Sequence, residues 1–192
     1  MAYFGIYWTF PLPWKGFLHL PEDAAAAAGA SRTIRYQREV IHRHARQTGQ
    51  PVEAERAFLE SAPDRGSSEM VAEIVAALGK RPDLTPVMVD FSHASNWRPH
   101  YQLISAMQEL HADLIPAEDL LQDGFSFRPV EHFRSWSRAT RDHAAAKSEH
   151  RATILAAVAS GADAEALNGM GLFTHTGRCW TRDNLRKFLK AG

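Results

Sequence analysis

The 192-residue sequence contains one cysteine, Cys179, which excludes an internal disulfide framework. It has no uninterrupted apolar run of about 20 residues, the length that a membrane-spanning helix needs. The first ten residues carry no early positive charge and no small-residue cleavage site, as a signal peptide would. These absences predict a cytoplasmic protein that does not associate with membranes.

Signatures of metal and cofactor chemistry are missing as well. The sequence has ten histidines and one cysteine, and it contains neither an HExxH motif nor a pair of cysteines. His42 and His44 stand two residues apart in a predicted helix, so their side chains point to different faces. No glycine-rich phosphate loop of either common pattern occurs. The sequence therefore predicts no metal site and no cofactor.

The formal net charge is zero, from 22 basic and 22 acidic side chains, but the charges are unevenly distributed. Residues 49–127 carry 5 basic and 13 acidic side chains, a net of −8. Residues 128–192 carry 11 basic and 6 acidic side chains, a net of +5. A basic C-terminal third can contact phosphates locally, so the neutral total does not argue against a nucleic-acid partner.

Alternating strand and helix patterns fill the first two thirds of the chain. Aromatic and β-branched runs predict strands at 3–10, 52–59, 85–91 and 113–116, the second too charged for a central position. Amphipathic patterns predict helices at 32–48, 67–79 and 99–111, and a loop that contains Gly124 follows. This alternation is typical of an α/β fold with a mostly parallel sheet and flanking helices.

A long helix is predicted at 129–149, with a second helical run at 151–160. The long helix has few aliphatic residues, so it suits a link between domains or a partner surface better than a core. We therefore expect an α/β domain at 1–128, a linking helix at 129–150 and a small helical module at 151–192.

The last helix of that module has the chemistry of a recognition helix. Thr181 can cap a helix over 182–190 that places Leu185, Phe188 and Leu189 on one side. Basic side chains and an Asn184 expected to be exposed are then available for DNA. The alternative is an ordinary C-terminal helix whose basic end is favoured by the helix dipole.

A spaced set of residues precedes this helix: Leu167-Asn168, Gly171, Thr174, Gly177 and Trp180-Thr181. The set resembles the helical DNA-binding module of the serine recombinase (resolvase/invertase) family, although about one helical turn is missing between Gly161 and Leu167. The resemblance implies a small helix-turn-helix-like domain. The DNA-contacting residues would be Thr176, Arg178, Thr181, Arg182, Asn184, Arg186, Lys187 and Lys190.

The earlier part of the chain is similar to the resolvase catalytic domain. A helix at 31–46 carries Gln37 where the family has a glutamine-centred motif, and residues 87–110 resemble a later strand and its helix. Residues 129–149 take the place of the long dimerising helix. The resemblance implies a resolvase-like sheet, a homodimer formed through 129–149, double-stranded DNA as partner, and a nucleoid-associated location.

The catalytic positions of the family are degenerate in this sequence. Thr9 stands where an arginine belongs, and Pro11 stands where the nucleophilic serine belongs. His93 and Asn96 replace two further arginines, whose bidentate bonds would hold the scissile phosphate. Proline has no hydroxyl to form a phosphoserine linkage, and no serine lies between Met1 and Ala30. The sequence predicts a protein that does not cleave DNA.

Asp90, Ser92 and His93 cluster at the end of a predicted strand, where α/β folds place ligand sites. Neighbours in sequence rarely converge into a catalytic triad, so an enzymatic role is the lesser hypothesis. The favoured interpretation is a recombinase-derived DNA-binding regulator or architectural factor. The alternatives are an active recombinase with rewired catalytic residues and a protein-interaction module that does not bind DNA.

Overall fold

The computed structural model describes residues 1–61, 67–94, 100–122 and 124–190. Asn96, one of the degenerate catalytic positions, lies outside these ranges. The chain divides into two compact units, Met1–Ser135 and Trp136–Gly192. Within the described ranges, every helix is too short or too polar to cross a lipid bilayer.

The first unit is built on a four-stranded sheet in which every neighbouring pair is parallel. Its strands are β1 (Tyr3–Thr9), β2 (Val52–Leu59), β3 (Thr85–Asp90) and β4 (Asp113–Pro116), in the order β2-β1-β3-β4. The helices of this part are α1 (Ala24–Ala30), α2 (Arg32–Thr48), α3 (Ser68–Leu78) and α4 (Tyr101–Glu109). The predicted α/β class and parallel sheet are confirmed.

Strand composition explains the strand order. All seven residues of β1 are buried, as expected for a strand with neighbours on both sides and helices over the sheet. In β2 only Phe58 is fully buried, and its charged residues suit the edge position that the sheet gives it. The expectation that residues 52–59 form a strand away from the centre is confirmed.

A small hairpin follows the sheet where the sequence predicted only a loop. Its strands are β5 (Leu120–Gln122) and β6 (Phe125–Phe127), and Gly124 between them has a φ of 79°, which favours glycine. Each strand has three residues, too few to show a period of two. The hairpin forms because Phe127 stacks on Tyr36 of α2, with ring centroids 4.4 Å apart.

One helix, α5 (Pro129–Ala159), occupies the region where the sequence predicted two. The expectation of a separate helix at 151–160 is wrong, because neither glycine nor proline interrupts residues 130–160 and the helix runs on until Gly161, with a φ of 95°. The division between the two compact units falls inside α5, after Ser135. The sequence had placed boundaries at 128/129 and 150/151.

The second unit contains the remainder of α5 together with α6 (Ala164–Gly169) and α7 (Arg182–Lys190). Five buried side chains form its core: Ile154, Ala164, Leu167, Trp180 and Leu185. The six residues of α6 agree with the expected short middle helix. Residues 170–181 separate α6 from α7, which is longer than the turn of about three or four residues in a typical helix-turn-helix.

His132, near the start of α5, makes the first unit sensitive to acid. Its Nε2 lies 3.1 Å from Thr33 Oγ1, and its ring packs 4.6 Å from that of Phe127. Burial, assisted by the positive charge of Arg32, lowers the pKa of His132 from 6.5 to about 4. Between these pH values the unfolded chain binds a proton that the folded unit does not, so stability falls as the pH drops from 6.5 to about 4.

We expect His132→Gln to remove about 2 kcal/mol of this pH dependence. This is less than the full pKa shift would give, because part of the ring faces solvent, which screens its charge. Urea denaturation of both proteins at several pH values measures the difference. His19→Gln, which changes an exposed histidine in the same unit, is the matched control and should leave the pH dependence unaltered. Parallel stability curves for His132→Gln and the unaltered protein would contradict the prediction.

Candidate functional site

The outer face of α7 carries four exposed basic side chains: Arg182, Arg186, Lys187 and Lys190. On the opposite side Leu185 is buried, and the Phe188 ring meets that of Trp180 edge to face, with centroids 5.1 Å apart. The helix is thus held in the unit by its apolar side and presents its basic side to solvent. We call the four side chains the α7 cations.

Two of the α7 cations share one acidic partner. Arg186 Nη2 lies 2.8 Å from Asp183 Oδ1, and Lys187 Nζ lies 2.8 Å from Asp183 Oδ2. Hydrogen bonds from Lys187 and then Arg186 lower the pKa of Asp183. All three groups are exposed, so these ion pairs contribute little to stability and can exchange for other anions. Four cations against one carboxylate leave this face positive.

The start of α7 is closed by a reciprocal cap. Thr181 N–H donates to Asn184 Oδ1 (2.7 Å), and Asn184 N–H donates to Thr181 Oγ1 (3.2 Å). The amide Nδ2 of Asn184 also donates to the carbonyl oxygen of Cys179 (3.3 Å). Asn184, expected to be exposed, is half-buried, and both ends of its amide serve the helix start.

A tight turn over 174–178 precedes this cap. Arg178 N–H donates to Thr174 Oγ1 (2.9 Å), and Gly177 N–H donates to the Thr174 carbonyl (2.8 Å). Gly177 has a φ of 75°, a conformation that residues other than glycine rarely adopt. The turn leaves Thr176 and Arg178, two of the expected DNA-contacting residues, on the surface.

Asn168 joins α6 to the segment before α7. Its Oδ1 accepts from Trp180 N–H (2.7 Å), and its Nδ2 donates to the Trp180 carbonyl (2.9 Å). The indole Nε1 of Trp180 donates to the Leu172 carbonyl at 2.6 Å. The residues that carried the family resemblance therefore build the core, turns and cap of the unit. The α7 cations are not among them.

Sequence reasoning missed a second group of basic side chains in this unit. Slight burial lowers the pKa of His175, in the 174–178 turn, and the charges of Lys147, His150 and His143 lower it further. His150 Nε2 is 2.8 Å from the Phe173 carbonyl oxygen, which connects α5 to the segment before the turn. Besides the α7 cations, Lys147 of α5 therefore lies close enough to the 174–178 turn to affect its electrostatics.

At the carboxyl edge of the sheet, the three degenerate catalytic positions that the structure describes do not assemble into a reactive group. Thr9 and Pro11 are buried at and just beyond the end of β1, and His93 is exposed. From the Asp90, Ser92 and His93 cluster the structure brings together only the first two. Ser92 Oγ donates to Asp90 Oδ1 at 2.5 Å, and Ser92 N–H donates to the same oxygen at 2.8 Å.

Gln37 performs a structural task beside this edge. The main-chain groups of successive β1 residues point alternately towards β2 and β3. The carbonyl of Ala2 accepts from Thr85 N–H of β3, and the main-chain groups of Trp8 point to the same side as that carbonyl. The β1–β3 pairing stops at Ile6, so β3 does not reach Trp8. Gln37 takes its place: Oε1 accepts from Trp8 N–H (3.0 Å), and Nε2 donates to the Trp8 carbonyl (2.7 Å).

Glu60, just after β2, and His100, just before α4, form a buried pair that sequence reasoning missed. Glu60 Oε1 is 2.5 Å from His100 Nε2, and Glu60 Oε2 accepts from Ser67 Oγ at 2.8 Å. His100 Nδ1 accepts from Leu103 N–H at the start of α4, so the ring hydrogen is on Nε2, facing Glu60. The lone pair of Nδ1 is thus occupied, and His100 is not available as a general base.

Among the described residues, no group of three or more histidine, cysteine, aspartate or glutamate side chains is placed to hold a metal ion. No protein-family model, curated protein or solved structure matches the chain. The described residues form a parallel α/β unit and a helical unit with a basic outer face.

Proposed function

We propose that this protein binds duplex DNA through its Trp136–Gly192 unit and derives from a serine recombinase that has lost strand cleavage. The observation that carries the proposal is the exposed basic face of α7, held outward by the buried Leu185 and Trp180. A short helix with a capped start and several exposed cations suits insertion into a groove flanked by phosphates. Such a protein would act as a regulator or an architectural factor.

Several features support phosphate contacts. The α7 cations project from one helix, and the exposed Arg178 in the neighbouring turn adds another guanidinium. Asp183 holds Arg186 and Lys187 in the absence of DNA. Phosphate oxygens can replace this carboxylate, because exchange between exposed ion pairs costs little. Sequence reading would rest on Thr176, since the cap occupies Thr181 and Asn184.

The proposal includes a homodimer formed through residues 129–149. A single module of this size binds DNA weakly, and two half-sites raise the affinity. Every residue from Arg141 to Glu149 in α5 is exposed in the monomer, so this stretch has surface to offer a second copy. The proposed location is the nucleoid.

Loss of cleavage is proposed from the first unit. Pro11 supplies no hydroxyl, and the hydroxyl of Ser92 is bonded to Asp90. The alternative, an active recombinase with rewired residues, requires a covalent protein–DNA adduct on a nicked suicide substrate. Recovery of such an adduct would overturn this part of the proposal.

The test is an Arg182→Ala, Arg186→Ala, Lys187→Ala triple variant. We expect affinity for a fluorescent duplex to fall about 30-fold at physiological salt, because three phosphate contacts are lost. The slope of log K against log salt should decrease in magnitude by about 2 to 3. Fluorescence anisotropy over a salt series measures both quantities.

A charge-matched control separates this surface from net charge. Lys15, Arg46 and Lys80 are exposed cations of the first unit, and their triple alanine variant changes the charge by the same amount. It should bind DNA within about twofold of the unaltered protein. Equal affinities of the α7 variant and the unaltered protein would contradict the proposal.

A protein-interaction role is the second candidate, and exposed apolar side chains of the same unit favour it. Leu155, Met170, Phe173 and Leu189 are 38%, 61%, 38% and 40% exposed. Exposed apolar residues of this kind suit a protein partner if they are contiguous. An unaltered protein that fails to bind duplex DNA at about 50 mM salt would favour this role.

A further inference from the structure

A line of titratable side chains runs along the part of α5 that belongs to the Trp136–Gly192 unit. His143, Lys147 and His150 recur at intervals of four and three residues, so they lie on one face of the helix. Ile154, four residues further on, continues this face and is fully buried in the core of the unit. The face therefore points to the side of α5 on which the rest of the unit packs.

The segment that leads into the 174–178 turn lies against this face. His150 Nε2 is 2.8 Å from the carbonyl oxygen of Phe173, and His175 follows two residues later. Because a carbonyl oxygen can only accept, the ring hydrogen of His150 is on Nε2, and its Nδ1 can take a second proton without breaking this contact. His175 and Arg178 are exposed in the turn. We call five side chains the α5–turn patch: His143, Lys147, His150, His175 and Arg178.

The charged groups that act on His175 are basic. Slight burial lowers the pKa of His175, and the charges of the three α5 members of the patch, Lys147 foremost, lower it further. The acidic side chains of the unit all lie in the described part of the chain, and none of them contributes to this shift: Asp142, Glu149, Asp163, Glu165 and Asp183. Asp142 and Glu149 lie roughly 100–120° around α5 from the middle of the face, at about 100° per residue. Acidification therefore adds positive charge where basic groups already gather.

We propose that the α5–turn patch is a second phosphate-contact surface of the Trp136–Gly192 unit, and that protonation of its histidines strengthens the binding of duplex DNA. The proposal rests on the proposed DNA binding through α7 and adds a regulation to it. Histidine is the side chain that ordinarily changes charge between about pH 5 and 8. Lys147 and Arg178 supply positive charge throughout this range, and the three histidines supply it only at its acidic end.

The sign of the effect follows from the charge of the partner. A phosphate beside the patch favours the protonated form of each histidine and offsets the repulsion from Lys147, so DNA binding takes up protons. Binding that takes up protons becomes stronger as the pH falls. Each protonated histidine that contacts a phosphate also releases about one counterion. Higher affinity and a steeper salt dependence are therefore expected together at acidic pH.

Fluorescence anisotropy of a labelled duplex with the full chain tests the proposal. From about pH 8 to about pH 5.5, we expect affinity at physiological salt to rise about tenfold and the slope of log K against log salt to grow in magnitude by about 2. A His143→Gln, His150→Gln, His175→Gln variant should lose most of this pH dependence, and glutamine keeps a donor for the Phe173 carbonyl. The matched control changes three exposed histidines of the first unit and should retain the pH dependence: His19→Gln, His93→Gln, His111→Gln.

Lys147→Gln tests the same surface at constant pH. It should weaken binding about threefold at about pH 8, because one phosphate contact is lost, whereas Lys80→Gln at an exposed position of the first unit should not. Circular dichroism at both pH values checks that each variant is folded. Equal affinity at the two pH values, a pH dependence that persists in the patch histidine variant, or equal binding by Lys147→Gln and Lys80→Gln would overturn this proposal and leave binding through α7 intact. An unaltered protein that binds duplex DNA at neither pH would overturn both.

Discussion

Replacing Trp180 by alanine is expected to destabilise the Trp136–Gly192 unit by about 3–5 kcal/mol, the cost of truncating a buried tryptophan. Trp180 is 6% exposed and is the largest of the five buried core residues of this unit. Its ring packs against Phe188, and its indole donates to the Leu172 carbonyl. A core of five residues cannot close such a cavity, so we expect α6 and α7 to lose their ordered packing.

Amide hydrogen exchange measures this loss by unit. Protection should disappear in α6 and α7 of Trp180→Ala and persist in the strands of the sheet, while Trp180→Phe should retain part of it. Phe173→Ala removes a partly exposed aromatic residue from the same unit and should cost under about 1 kcal/mol. Unchanged protection of α7 in Trp180→Ala would refute the assignment of Trp180 as the centre of this core.

Gln37→Leu is expected to cost the Met1–Ser135 unit about 3 kcal/mol. Gln37 is fully buried, and its amide satisfies both main-chain groups of Trp8 where β3 no longer pairs with β1. Leucine has a similar volume but no polar atoms, so it leaves a buried N–H and a buried C=O unpaired. Each unpaired group costs about 1–3 kcal/mol.

Urea denaturation measures this difference, which should appear as a lower midpoint with the same slope. Gln47→Leu makes the identical substitution at an exposed position of α2 and should change stability by less than about 0.5 kcal/mol. Equal midpoints for Gln37→Leu and Gln47→Leu would show that the carboxamide is not needed to replace the missing strand.

In the second unit, the residues that carry the resemblance to recombinases have structural roles. Asn168, Thr174, Gly177 and Trp180 are joined to neighbouring residues by hydrogen bonds, turn geometry and packing. A motif of this kind specifies how the unit folds. The proposed DNA binding depends instead on side chains that the motif does not include, the α7 cations, so the triple variant tests the proposed function without disturbing the motif.

Local composition was enough to predict much of the fold. Signals within single segments predicted the strands at 52–59 and 113–116 and the helices around 32–48 and 182–190. These signals are the periodicity of apolar residues, the helix caps and the glycine that ends a helix. The hairpin at 120–127 was missed because its stability comes from Phe127 stacking on Tyr36, a contact between residues far apart in sequence. The helix expected at 151–160 is the end of α5, since no residue there interrupts it.

The sequence by itself determined the α/β class, the edge position of β2, the cap of α7 and the side of α7 that bears positive charge, because each depends on neighbours within a few residues. Tertiary structure alone decided which polar groups meet. Gln37 reaches Trp8, and Glu60 reaches His100, through contacts between separate segments. Such contacts depend on where strands stop pairing, and no local periodicity records that position.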